Sequence, residues 1–164
     1  MEVHMESAVL DVTSWPVLPI GTIIARLLLA AVMGAAIGVE REWRQRPAGL
    51  RTNILVAVAS ALFSILTLEI VHADIVQGDS IRADPIRMIE AVTSGVAFLA
   101  AGTIIQSRGS VTGVTTGAGL WLSGATGVAC GLGLWMIAAI AVVLGLLVMI
   151  VLGKLEKKAL KLKE

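Results

Sequence analysis

Glu40-Arg41-Glu42-Trp43-Arg44-Gln45-Arg46-Pro47-Ala48-Gly49-Leu50-Arg51-Thr52-Asn53 is the stretch on which the reading of this chain turns. It carries six charges, four of them arginine, between an apolar run from Ile20 to Val39 and another from Ile54 to Leu68. A basic block between two such runs predicts a short cytoplasmic loop that sets orientation in a membrane. Pro47 and Gly49 break helical continuity between the runs.

Composition supports a membrane. Of 164 residues, 57% are hydrophobic and 15% charged, against about 45–50% and about a quarter in soluble domains. A soluble chain this short cannot enclose so many apolar side chains, whereas lipid can cover them. The net charge of +1 names no partner. The single cysteine, Cys130, excludes an internal disulfide and a cysteine metal cage. His4 and His72 lie in no ligand spacing. The start, with Glu2, Glu6 and Asp11, is acidic and lacks the basic opening of a cleaved signal peptide.

Working outward, the runs predict five spans, at about 20–39, 54–75, 86–105, 114–130 and 134–152. Twenty residues at about 1.5 Å each cross a hydrocarbon layer of about 30 Å. Pro16 and Pro19 precede the first span, where proline suits a helix start. Gly34 and Gly38 there make a small-xxx-small face for close helix approach. The polar stretch from Gln77 to Asp84 reads as a loop. Asp84 is placed to cap the third span, with Pro85 at its first position. That span is rich in small residues and suited to packing. Residues 106–113 form the next loop. The fourth span is so small-sided that a buried central helix is expected, with Trp121 its largest side chain. The fifth is the most apolar and should face lipid.

Ten of the thirteen basic residues fall in the loop 40–53, at Arg108 and in the lysine tail 153–164. That puts these segments in the cytoplasm and the N-terminal segment 1–19 outside. The expected fold is an all-α bundle of five transmembrane helices.

Three segments resemble signatures of the MgtC/SapB membrane proteins. The first is Gly38 to Arg44 followed by Pro47 to Asn53, with Glu40, Arg41, Arg44, Pro47, Gly49, Arg51 and Thr52. The second is Asp84 to Arg87 followed by Thr93 to Ile105, with Asp84, Arg87, Gly95, Phe98 and Gly102. The third is Val111 to Trp121 with Gly127 and Cys130-Gly131-Leu132-Gly133, and contains Gly113, Thr115, Thr116 and Trp121. Ala97 and Ala100 stand where the second signature usually has glycine. The resemblance implies a non-enzymatic, multi-pass protein of the bacterial inner membrane, linked to magnesium limitation and, in pathogens, to survival in host cells. It further implies action through other membrane machinery. The alternative is a small transporter or channel for Mg2+ or another cation. The chain resembles the short branch, without the soluble C-terminal domain of better-known members.

Three charges lie inside predicted spans: Arg26, Glu69 and Glu90. Arg26 and Glu90 are about 9 and 8 Å from the outer ends of their helices, with Glu69 at similar depth. An isolated charge at mid-membrane costs about 2–3 kcal/mol or more, less near the interface. Arg26 is therefore expected to pair with Glu69, Glu90 or both, as a structural clamp or as a cation or proton site opening outward. At the other surface a buried Glu40–Arg51 pair is expected to close the loop. Thr112, Thr115, Thr116 and Ser123 should bond to backbone or to neighbouring helices. Asp74, Asp79 and Asp84 are too loosely spaced to hold magnesium, so no metal site is predicted. No nucleophile with a nearby base and no phosphate loop is present, so neither catalysis nor a cofactor is expected. Expected partners are membrane lipid, a membrane protein, and a second copy through the small-residue faces, with no nucleic acid.

Overall fold

The structure is a computed structural model describing residues 16–72, 84–107 and 109–161, with the backbone alone at 107, 154 and 156–161. Segment 1–15, the loop residues Asp74, Asp79 and Arg82, and Arg108 lie outside the described residues, as do the tail lysine side chains.

Five helices follow in order: α1 (Ile20–Trp43), α2 (Leu50–His72), α3 (Pro85–Gly102), α4 (Val114–Gly131) and α5 (Trp135–Lys161). The fold is all-α apart from one antiparallel hairpin, β1 (Ile105–Ser107) with β2 (Ser110–Thr112), where Ile105 faces Thr112. This hairpin stands where a plain loop was expected. Three helices, α1, α2 and the part of α5 up to Gly153, are long and apolar enough to cross a membrane.

The stretch 40–53 is mostly helix rather than loop. Glu40 to Trp43 complete α1, and Leu50 to Asn53 begin α2. Glutamate and arginine are good helix formers, so charge alone does not end a helix. The chain turns over residues 44–49, where Gln45 and Ala48 adopt left-handed backbone angles, φ 53° and 56°. Likewise α5 continues into the lysine-rich tail as far as Lys161. Asp84 caps α3 as expected, its carboxylate accepting from Ile86 N–H at 2.9 Å.

Helix α4 is central: it packs against all four other helices. Glycines allow this. A Cβ at Gly127 would collide with the Ala57 carbonyl oxygen, and one at Gly131 with that of Ala61. On the other side of α2, a Cβ at Gly34 would sit 2.6 Å from Asn53 O. Such backbone approach maximises dispersion contact where lipid tails offer no hydrophobic drive for helix association. Ala30, Ala57, Ala61, Cys130 and Ala138 form a fully buried cluster, so Cys130 is a small core residue. Trp121, by contrast, is 51% exposed on the outer side of α4.

Helix α3 is peripheral. Val96 and Ala100 are its buried residues, seated on Gly124 and Gly117 of α4. Its own Gly95 and Gly102 have nothing within 4 Å of a notional Cβ. The small-residue packing expected of α3 is thus supplied by α4. Helix α5 exposes large apolar side chains around most of its length, among them Ile137, Ile140, Val143, Leu147 and Val151. A patch of that extent is more than water-facing surfaces carry.

Candidate functional site

Helices α1, α3 and α5 run against α2 and α4. The connection 44–49, the hairpin and the end of α5 therefore gather at one end of the bundle. The polar core lies at that end. Arg41 is 4% exposed and donates through Nη2 to Thr116 Oγ1 of α4 at 2.6 Å. It crosses α4 beside Gly119. Glu40 is 8% exposed and pairs with Arg44 one turn on. The contact is close but poorly aligned, and neither Glu40 oxygen has a hydrogen bond of good geometry. The Arg41 Nε is also buried without a partner. Desolvated charges of this kind are costly to leave half-satisfied.

Asn53 ties the same end together. Its amide nitrogen donates to Ala48 O and Gly49 O at 2.7 and 2.8 Å, and its oxygen accepts from Ser123 Oγ at 2.7 Å. Hydrogen bonds between membrane helices contribute on average about 0.6 kcal/mol, so this bond specifies register more than it adds stability. Asn53 stood in the first motif without a role assigned. Its signal was an amide at the head of an apolar run.

The expected Glu40–Arg51 pair is not formed. Arg51 is exposed, and Glu40 takes Arg44 because i, i+4 neighbours on one helix meet without bending the turn. The turn is closed instead by Glu42, whose Oε2 accepts from Leu50 N–H at 2.7 Å. Pro47 and Thr52 are exposed, and Gly49 lies against Glu42.

At the opposite end the predicted clamp is also absent. Arg26 donates through Nη1 to Gly131 O at 2.7 Å, at the C-terminus of α4. Glu69, 4% exposed, accepts from Val17 N–H at 2.6 Å and Leu18 N–H at 2.9 Å, just ahead of α1. Glu90 is exposed. Arg26 thus takes an unpaired carbonyl at the end of α4, and Glu69 takes N–H groups of the non-helical segment ahead of α1, which have no helical partner.

In the second motif, Asp84 and Arg87 are exposed, as are Gly95 and Gly102, and Phe98 is 81% exposed. In the third, Gly113 has φ 89° and no room for a Cβ against Thr103 O, which explains its glycine. Thr115 is exposed and Thr116 buried with Arg41. The structure thus brings Glu40, Arg41, Arg44 and Thr116 together and leaves the second motif outside that cluster. Among the described residues no group of three or more His, Cys, Asp or Glu is arranged to hold a metal ion.

The family profile described as "MgtC family" matches residues 27–158. YhiD of Escherichia coli K12, named as a candidate magnesium transporter, is 41% identical over 102 residues, covering 62% of this chain and 47% of that protein. Protein MgtC of Salmonella typhimurium is 43% identical over 100 residues, 61% of this chain and 39% of that protein. A Haemophilus influenzae protein is 36% identical over 102 residues, 62% and 43% respectively. The matched stretch spans less than half the length of each of these relatives. No solved structure matches the chain.

Proposed function

The chain belongs to the MgtC family, and from that premise we propose that it is a multi-pass protein of the bacterial inner membrane that serves adaptation to low magnesium without catalysis. It acts by docking on and modulating other membrane machinery. Five crossings are proposed, with the arginine-bearing end in the cytoplasm. Helices α3 and α4, of 18 residues each, are about 27 Å long and match the hydrocarbon core. The magnesium link rests on the name of the E. coli relative.

The observation that carries the modulating role is how the polar residues are spent. Arg41, Thr116, Asn53 and Ser123 are engaged in helix-to-helix bonds, and backbone contact at Gly127 and Gly131 closes α2 against α4. The exposed apolar side chains of α5, and Ile86, Phe98 and Leu99 on α3, are available to lipid and to a partner.

The name of the E. coli relative favours a second reading, magnesium transport. Purified protein in liposomes loaded with a magnesium-sensitive dye separates the two. Dye response equal to that of empty vesicles is expected. Saturable flux that Glu40→Gln abolishes would establish the transporter instead. Reporter fusions at positions 48 and 158 should report the cytoplasm and a fusion at 79 the outside; any other pattern removes the proposed topology.

A further inference from the structure

Between α1 and α5, at the arginine-bearing end, lies a cleft of about 540 Å3. Ala36, Val39, Leu146 and Ile150 form its apolar walls, and Glu40, Trp43 and Arg44 its polar end. Arg44 pairs with Glu40 through Nε, while among the described residues its two terminal nitrogens have no hydrogen-bond acceptor. One of them rests over Gly153 of α5, 2.9 Å from where a Cβ would stand. The missing side chain there lets the guanidinium lie against α5 at the cleft. Trp43 beside it is 87% exposed, the placement of an indole at headgroup level.

Two free donors in a planar fork suit a phosphodiester. The charges near them are net positive: Arg41, Arg44, Arg46 and Arg51 against Glu40 and Glu42. Both Glu40 oxygens are inaccessible, so among the described residues lining the cleft no carboxylate is offered to an ammonium headgroup. That disfavours zwitterionic lipids. The apolar walls run from Arg44 toward the middle of the bundle, as an acyl chain would.

We propose that this cleft binds one anionic phospholipid, with its phosphate on Arg44 and one acyl chain along Ala36, Val39, Leu146 and Ile150. The site requires membrane insertion but holds whether or not the protein moves a cation. The liposome flux result therefore does not bear on it.

Native mass spectrometry of delipidated protein, titrated with dioleoylphosphatidylglycerol and dioleoylphosphatidylcholine, tests it. The wild type is expected to retain one phosphatidylglycerol with about fivefold preference, the scale of one basic residue at a headgroup. Arg44→Ala abolishes the preference. Val39→Trp, which fills the cleft from an exposed wall and keeps every arginine, weakens phosphatidylglycerol binding at unchanged thermal stability. Arg46→Ala, outside the cleft, leaves binding unchanged, and glycerophosphoglycerol without chains does not compete. Equal retention of both lipids, preference surviving in Val39→Trp, loss of preference in Arg46→Ala, or competition by the free headgroup would overturn the site.

Discussion

The two ends of the bundle bury charge in opposite ways. At the end away from the 44–49 connection Arg26 and Glu69 go to backbone: the Gly131 carbonyl and the N–H groups of Val17 and Leu18. At the arginine-bearing end Arg41 and Glu40 go to side chains, Thr116 and Arg44. Where unpaired backbone lies within reach, at the end of α4 for Arg26 and in the segment ahead of α1 for Glu69, it takes the charge, and the ion pair that spacing suggests does not form. Glu40 and Arg41, buried on α1, find side-chain partners, while the exposed Glu42 reaches the Leu50 N–H at the start of α2. A backbone partner tolerates exchange of carboxylate for amide; a buried ion pair does not tolerate loss of either member.

The largest expected effect comes from Arg44→Ala, which strands the buried Glu40 carboxylate. Thermal unfolding in detergent should show a loss of about 3 kcal/mol or more. Adding Glu40→Gln to that variant should recover most of it. Failure to recover would mean that Arg44 stabilises through its contact with α5. At the other end, Glu69→Ala leaves two N–H groups without an acceptor and should cost about 1–3 kcal/mol. Glu69→Gln, which keeps one amide oxygen, should cost measurably less, and equal losses would break the contrast. A double-mutant cycle of Arg26→Met with Glu69→Gln should give a coupling below about 0.5 kcal/mol, as for sites that share no partner. A larger coupling would restore the clamp. The smallest change expected of a single substitution belongs to the connection between α1 and α2. Ala48→Gly should stabilise by about 1 kcal/mol, because a left-handed φ of 56° costs alanine and not glycine. A destabilised variant would show that unfolded-state entropy outweighs that strain.

Much of the architecture was legible along the chain. The apolar runs located the five helices, and Asp84 with Pro85 marked the start of α3. The fourth run, rich in Gly, Ala, Thr and Ser, is the central helix α4 because small side chains permit contact on several faces at once. The arginine stretch differs from the expected loop in that α1 continues to Trp43 and α2 starts at Leu50, and the break is confined to 44–49, where Pro47 and Gly49 stand. Trp121 lies outward because a helix with backbone-close neighbours on its inner side has room for an indole only on the other.

By itself the sequence determined that apolar surface exceeds what the chain can bury, that this surface comes in helical lengths, and that positive charge collects between particular runs. Those are properties of composition and order, and they need no partner in space. Which atom meets which charge was decided by tertiary structure alone. The competing partners are carbonyls and N–H groups that every residue carries, so no residue type announces them. They become partners of Arg26 and Glu69 only once the end of α4 and the segment ahead of α1 come to lie beside them.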